Sequence, residues 1–481
     1  MKIELCNYRS TFTPEDLGEL GKHFTIKNIE MCEAQTHNNG SVLLWNNNYP
    51  FSERYLAQFP FLKLFLNWGT SDHNLPPLSV FSKRGITVKL IDSYATESVA
   101  EFAVLQLLAS TRCIVDLVHH DKPIGSELYG KKIGIIGMGK IGFRIAQILH
   151  QSFHCRICYF SRTEKSIKDF SFVSIDTLLR ESDFVIMAVK SQSFALTDKQ
   201  LTPCNKRLVL INIGRDEAAP FPLVREHLCS GDLRSFYSDT VSADAKNAQK
   251  TQSYLSGHIA YKTQEALLSK KALLRLMLKK YFLFTMKTQT SIFFIRHGKT
   301  IWNEKGTYQG TLNSSLSEIG RAQALRIAEF LSSRKISHIY VSPLGRAQET
   351  AGILREKLQC TIEVVDDFHE MDFGVFQGKQ QEEIKELFAD FFEERKHAKL
   401  HTPFPGGESY YDVYLRVLHK ALAIAAEHRG NIAIVGHESV NRIIRGIIEE
   451  RPLEEAVQLR QKNNEVIEYR FDEDREIVHE I

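Results

Sequence analysis

Apolar residues recur along this chain in two periods, and their alternation predicts the elements before any side-chain chemistry is considered. Strand-like runs stand at Val42–Trp45, Leu62–Asn67 and Ile86–Ile91 between stretches of helical spacing, and Met1 to Tyr8 reads as a strand rather than a cleavable leader. From Glu97 to Val118 the positions Val99, Phe102, Ala103, Leu105, Gln106 and Leu107 recur at helical intervals. Lys131 to about Thr263 alternates strands with helices, which implies a parallel, doubly wound sheet. Lys270 to Lys287 is the most apolar helix, but Arg275, Lys279 and Lys280 interrupt it. A bilayer span needs roughly 20 unbroken apolar residues, so this helix is expected to close the core of the first half. A new strand at Ser291 opens a second βα series behind the short polar link Lys287–Thr290.

Length and composition narrow the picture further. At 481 residues the chain exceeds one typical domain, and three regions are expected: 1–97, 98–288 and 289–481. A net charge of +3 is small for this length and argues against nucleic acid as partner. No membrane partner is expected. Eight scattered cysteines fit a reducing cytoplasm. Cys155 and Cys158 share the strand-like run His154–Phe160, where alternation sends them to opposite faces, so the CxxC is read as structural.

The second βα series carries the clearest chemistry. Strand Ser291–Ile295 runs into Arg296-His297-Gly298, at the strand end where open α/β sheets place ligands. Trp302-Asn303, Tyr308-Gln309-Gly310 and Leu316-Ser317-Glu318 follow. Strand His338–Val341 leads into Ser342-Pro343-Leu344-Gly345-Arg346, and a loop then carries Glu370-Met371-Asp372. Pro405-Gly406-Gly407-Glu408-Ser409 precedes the strand Ile432–Val435, which ends at Gly436-His437-Glu438. Six elements in this order resemble the histidine phosphatase superfamily, which includes the cofactor-dependent phosphoglycerate mutases. The resemblance implies an α/β three-layer domain and a metal-independent phosphatase. His297 would attack phosphorus and form a phosphohistidine. Arg296, Arg346 and His437 would hold the phosphoryl oxygens, and Glu370 would act as acid and then base. Asn303, Gln309 and Gly310 would line the substrate site. The stretch from Glu370 to Gly406 is short for a mutase, which favours hydrolysis. Glu438 stands where relatives have glycine, a carboxylate that either repels substrate or points away.

A second constellation lies upstream. The strand Lys131–Ile136 enters Gly137-Met138-Gly139-Lys140-Ile141-Gly142 and then a helix, a dinucleotide fingerprint in its proper context. The next strand ends in Ser161-Arg162 where an acid would bind the ribose of NAD; an arginine there suits the 2′-phosphate of NADP, so NADP is preferred over NAD. With Leu210–Arg215, Ser238-Asp239 and His258-Ile259-Ala260 in order, the region resembles the D-isomer-specific 2-hydroxyacid dehydrogenases. That implies a Rossmann-type doubly wound parallel sheet with a flavodoxin-like substrate domain, and a homodimer. It also gives roles to Arg215 on the substrate carboxylate, His258 as proton carrier, Asp244 beside that histidine, and Asp239 near the nicotinamide. The departures are Asn67-Trp68-Gly69-Thr70-Ser71 in the substrate loop, Asp216 after Arg215, Gly257 in place of proline, and Asp244 in place of glutamate.

The whole is expected to be a bifunctional cytoplasmic enzyme acting on a small phosphate ester and on a 2-hydroxy or 2-oxo acid, with phosphorylated three-carbon acids suiting both halves. Three alternatives stand beside it: a phosphatase regulated by a degenerate nucleotide-binding half, a phosphoglycerate mutase, and a non-catalytic scaffold.

Overall fold

The structure, a computed structural model, describes residues 3–8, 18, 20–21, 24–29, 38–46, 49–70, 72, 74–91, 93–114, 124–165, 167, 169–190, 193–205, 207–239, 253–286, 290–428, 430–473 and 475–481. It divides into two compact units, Met1–Lys270 and Lys271–Ile481.

The first unit holds two sheets. Strands β1 (Ile3–Tyr8), β2 (Phe24–Asn28), β3 (Val42–Trp45), β4 (Leu64–Asn67) and β5 (Thr87–Leu90) form a parallel sheet in the order β2-β1-β3-β4-β5. This is the flavodoxin-like order expected for the substrate domain. A seven-stranded parallel sheet follows, ordered β12-β11-β10-β9-β6-β7-β8. Its members are β6 (Lys132–Ile136), β7 (Arg156–Phe160), β8 (Phe170–Phe172), β9 (Phe184–Met187), β10 (Val209–Asn212), β11 (Ser235–Ser238) and β12 (Ser253–Leu255). The order reverses between β6 and β9, which makes the crevice that a doubly wound sheet offers to a dinucleotide. Alternate residues build two separate cores, Ile133, Ile135 and Ile157 on one face, Ile136, Val185 and Leu210 on the other. Cys155 joins the first core and Cys158 the second, so the CxxC thiols do point to opposite faces, and burial pushes both up, Cys155 to about 11.

Helix α1 (Thr96–Thr111) buries Val99, Ala103 and Leu107 as its spacing requires, although Leu105 stays exposed and residues 115–118 lie outside the described residues. Helix α2 (Lys140–Phe153) is tied to it by Arg144, which donates to both carboxylate oxygens of Glu97 at 2.8 and 2.9 Å.

The second unit is built on one six-stranded sheet, ordered β15-β14-β16-β13-β17-β18. Strands β13 (Ser291–Arg296), β14 (Ile336–Val341), β15 (Thr361–Val364) and β16 (Asn431–Gly436) run parallel; β17 (Glu465–Arg470) and β18 (Arg475–Glu480) are antiparallel additions. β13 is fully buried until its last residue, so its side chains feed two cores: Ile292 and Phe294 one, Phe293 and Ile295 the other. The register pairs Arg296 with Gly436 and Val341 with Val435, which brings three strand ends level. Arg296, His297, Ser342 and His437 stand at those three ends.

One expectation is corrected here. The helix expected over Lys270–Lys287 spans Gln264–Met286 (α3), but it does not simply close the first half. Leu276 and Leu283 are buried in the second unit's main core, with Leu273 and Phe282 packed against it. Lys279 donates to the carbonyls of Ala425 and His428, at 2.7 and 2.5 Å. The interrupting lysines are what the sequence pattern misjudged: their stems lie along apolar surface and their amines find carbonyls or aromatic faces. The polar link at 287–289 lies outside the described residues. Replacing the fully buried Leu276 by Ala should destabilise the second unit by about 2–5 kcal/mol. Faster hydrogen exchange in β13 and β16 would report it, and unchanged exchange there would refute the assignment of this helix to that core.

Candidate active site

His297 follows β13 directly, and its backbone N–H donates to the Gly436 carbonyl at 3.0 Å, extending the β13–β16 ladder by one residue. Its side chain is 3% exposed. The imidazole Nδ1 lies 2.8 Å from the Gly298 carbonyl, which only accepts, so the proton sits on Nδ1 and Nε2 carries the lone pair. Arg346 Nε approaches that Nε2 at 3.3 Å. Burial, then Arg346 and Arg296, hold the His297 pKa well below its ordinary value. The group is thus a neutral imidazole with Nε2 poised as a nucleophile, its ring fixed by its own neighbour's carbonyl.

Arg346 opens helix α4 (Gly345–Leu358) and is 1% exposed. Its guanidinium donates to the carbonyls of Leu312 and Gly310, each at 2.7 Å. Burial lowers its pKa to about 10, which leaves it cationic at neutral pH. Gly310 holds its carbonyl there in a left-handed turn with φ +56°, where a Cβ would stand 2.0 Å from Gln377 Oε1. The glycine expected to line the substrate site therefore aims the arginine instead.

His437 caps the start of helix α5 (Glu438–Glu449) at the end of β16, fully buried, and its ring centroid lies 5.2 Å from that of His297. Ser342 Oγ lies 2.7 Å from His437 Nε2, while Nδ1 is buried without a protein partner. Arg296 Nε is likewise a buried donor without a partner. Buried polar groups are nearly always paired, so an orphaned guanidinium N–H and an orphaned imidazole nitrogen beside one neutral imidazole describe a polar cradle open to a ligand. Glu370 is 7% exposed; burial raises its pKa, while the Met371 N–H bond at 2.8 Å and the two arginines oppose the rise. A protonated carboxyl beside the cradle is a proton donor to a leaving oxygen.

Two of the expected ligands are engaged elsewhere. Asn303 Oδ1 accepts from the Thr300 N–H and hydroxyl at 3.1 and 3.0 Å as part of a capping box, leaving only its amide N–H groups for a phosphoryl oxygen. Gln309 Nε2 donates to Thr300 Oγ at 2.8 Å. Glu438, the discordant neighbour, is gripped by Arg296 at 3.0 Å, Arg442 at 2.5 Å and Arg460 at 3.4 Å. The carboxylate expected either to repel substrate or to point away is neutralised by three cations.

The sequence also passed over positioning groups. Ser342 sets His437, Thr350 Oγ accepts from the Gly298 N–H at 3.0 Å, and Asn463 donates to the His297 carbonyl at 2.6 Å. Arg395, Lys399 and Arg442 surround the Tyr410 ring at 5.2, 5.3 and 5.3 Å. Arg395 and Lys399 precede the Gly-Gly-Glu-Ser turn and Arg442 lies far beyond it, so no local signal marks them as a group.

In the first unit, β6 enters the glycine loop. Gly137 has φ +99°, and a Cβ on it would stand 2.6 Å from the Ala188 carbonyl; one on Gly142 would stand 2.0 Å from the Gly137 carbonyl. Gly139 meets nothing within 4 Å, so its face is open to a ligand at the N-terminus of α2, which starts at Lys140; Ile141 packs beside the core. The backbone fits a pyrophosphate. Ser161 and the exposed Arg162 follow β7, with Ser161 Oγ donating to Thr163 O at 2.6 Å. Asp239 is 2% exposed and accepts from Ser256 Oγ and the N–H groups of Ile259 and Ala260, at 2.7, 2.8 and 3.0 Å. It therefore shapes the loop that carries His258, whose Nδ1 lies 3.3 Å from the Asp239 carbonyl. Gly257 and His258 are both left-handed, φ +77° and +62°, a path that proline cannot take. Burial and then Arg215 lower the His258 pKa. Asp244 lies outside the described residues.

The comparisons with known proteins agree with both constellations. Residues 292–481 match the profile of the histidine phosphatase superfamily (branch 1), and residues 106–260 that of the D-isomer specific 2-hydroxyacid dehydrogenase, NAD binding domain. The chain is 36% identical over 155 residues to phosphoglycerate mutase-like protein 4 of Arabidopsis thaliana, covering 31% of this chain and 67% of that protein. It is 29% identical over 194 residues to glyoxylate reductase of Thermococcus kodakarensis, covering 36% of this chain but only 58% of that relative. The 2-hydroxyacid dehydrogenase from Ketogulonicigenium vulgare Y25 shares the fold with a TM-score of 0.54 at 21% identity, over 59% of this chain and 96% of that one. No helix of the described residues is long and apolar enough to cross a membrane. Through residues 292–481 the chain belongs to the histidine phosphatase superfamily, and its upstream region is similar to the NAD-binding domain of the D-isomer specific 2-hydroxyacid dehydrogenases.

Proposed function

We propose that this protein is a bifunctional enzyme whose second unit hydrolyses phosphate esters through a phosphohistidine at His297. The observation that carries the reading is the buried neutral imidazole, its Nε2 free of a proton and flanked by Arg346 at 3.3 Å. Nε2 attacks phosphorus; Arg346, Arg296 and His437, with Nδ1 protonated when Ser342 donates to Nε2, take the phosphoryl oxygens as their charge grows. Glu370 gives its proton to the departing alkoxide, and as a carboxylate then takes one from the water that cleaves the phosphohistidine. His297→Ala should abolish phosphate release from an aryl phosphate; surviving activity would refute the nucleophile. The first chemical step needs His297 neutral and Glu370 protonated. The acid limb of kcat/KM should therefore fall well below the ordinary histidine value, and the alkaline limb above the ordinary carboxylate value, because His297 is lowered and Glu370 raised. Glu370→Gln should erase the alkaline limb.

The substrate class is read from the cations around Tyr410. Burial and then Arg442, Arg460 and Arg395 depress Lys399 to about 8, and Glu438 opposes them, so cations outnumber acids around this ring. That supports an ester carrying a second anion, such as a phosphorylated three-carbon acid. Lys399→Met should lower kcat/KM for phosphoglycerate about tenfold more than for phenyl phosphate, the value of one charge-assisted hydrogen bond.

For the first unit we propose NAD(P)-dependent interconversion of 2-hydroxy and 2-oxo acids. The Gly137–Gly142 loop and the start of α2 would hold the pyrophosphate, and Arg162 favours NADP over NAD. A bound nicotinamide supplies the hydride chemistry. Arg215 would hold the substrate carboxylate and His258 would exchange the carbonyl proton. A homodimer and a cytoplasmic location belong to the same proposal. The left-handed Gly257–His258 pair favours a second reading, a cofactor-binding half that regulates the phosphatase. NADPH oxidation with glyoxylate, hydroxypyruvate or phosphohydroxypyruvate is the expected result; none with any of them, alongside saturable NADPH binding, would select the regulatory reading.

A further inference from the structure

Lys270 lies in the first unit and is 4% exposed. Lysine is almost never buried without an acid, yet among the described residues no carboxylate lies within ion-pair distance of this amine. Its single hydrogen bond goes to the Trp68 carbonyl at 3.2 Å. Aromatic faces supply the rest of its surroundings: Trp68 at 4.4 Å, Tyr94 at 4.9 Å and Tyr261 at 5.7 Å. Those rings lead straight to the candidate oxidoreductase groups. Tyr261 lies 5.2 Å from the His258 ring, and Arg215 acts electrostatically on Tyr94, Tyr261 and His258.

The Trp68–Gly69 loop gives the amine a purpose. In the resemblance, this loop presents backbone N–H groups to substrate. Here the Trp68 N–H donates to the Trp45 carbonyl at 2.7 Å and the Gly69 N–H to Asn67 O at 2.8 Å. These two donors are turned inward and the Trp68 carbonyl is turned to Lys270, so neither N–H is offered to a carboxylate. Lys270 supplies positive charge at that point.

We infer that Lys270 is a ligand-binding residue of the first unit, which with Arg215 grips the carboxylate of a small 2-oxo or 2-hydroxy acid lying against the Trp68–Gly69 loop. The ligand class rests on the oxidoreductase reading; the anion site does not. An incoming carboxylate supplies the counter-charge the lysine lacks, and exchanges a weak amine–carbonyl bond for a charge-assisted one. Burial has lowered the amine to about 7, so in the free protein it carries its charge below that pH and loses it as pH rises. Of the groups around it, the two tyrosines are raised, His258 is lowered, Arg215 adds a guanidinium, and both Asp239 oxygens are engaged with the His258 loop. The amine is the group that titrates across this range.

Calorimetry of oxamate binding to the full-length protein, without cofactor and with NADPH, tests the assignment. Lys270→Met should weaken binding about tenfold or more while Lys270→Arg largely restores it. Wild-type affinity should fall as pH rises through about 7, and the Lys270→Arg affinity should not. Oxamate binding unchanged in a folded Lys270→Met protein, or no binding by the wild type at any pH tested, would overturn the inference. Lys270-dependent binding without any NADPH oxidation would leave it standing and remove the oxidoreductase reading instead.

Discussion

Two guanidinium groups have to be buried beside an imidazole that must stay uncharged, and this requirement shapes the second unit. Burying a cation without partners costs several kcal/mol, so each arginine is met by fixed oxygens: Leu312 and Gly310 carbonyls for Arg346, Glu438 and the Gln461 carbonyl for Arg296. Those oxygens are backbone groups or anchored acids, so they cannot swing toward His297 and protonate it by attraction. The same field that keeps the imidazole neutral is then available to a phosphoryl group. The sheet register, the left-handed Gly310 and the Ser342–His437 contact all serve to keep that balance in place.

Much of this was legible in the sequence because chemistry at strand ends leaves local signatures. Arg296-His297-Gly298 and Gly436-His437 stand immediately after buried apolar runs, and the glycine loop follows one too. The parallel pairing of most strands follows from the alternation of strands and helices, but their order and the antiparallel β17 and β18 do not. What stayed hidden depends on contacts between distant segments. Glu438 reads as a misplaced acid until Arg442, one helical turn on, and Arg460 are seen on it. Asn303 reads as a ligand because a capping box and a phosphate contact use the same residue type. The Lys270–Lys287 helix has no amphipathic stripe to say which core it joins, because Lys270, Lys279 and Lys280 are accommodated by carbonyls, rings and the Glu450 carboxylate.

The first unit is uneven in how firmly its parts are built for dinucleotide chemistry. At Gly137 and Gly142 a side chain would collide with backbone, so nothing but glycine preserves the cradle. The His258 loop has been rerouted through two consecutive left-handed residues, a strained path for His258, and a buried aspartate with three hydrogen bonds holds it there. Strain sustained by that many contacts is an arrangement the chain maintains rather than tolerates.

The helix Gln264–Met286 bears on how such a fusion can be taken apart. Its residues from 271 onward belong to the second unit's core, upstream of the first strand of the superfamily's own sheet. A gene cut at the family boundary, just before Ser291, would encode a phosphatase lacking the cover over Tyr469 and Phe471, where Lys280 and Lys279 now lie. The boundary that the family's sheet suggests is therefore not the boundary of the folded unit: an autonomous phosphatase has to begin upstream, at residue 271 or before.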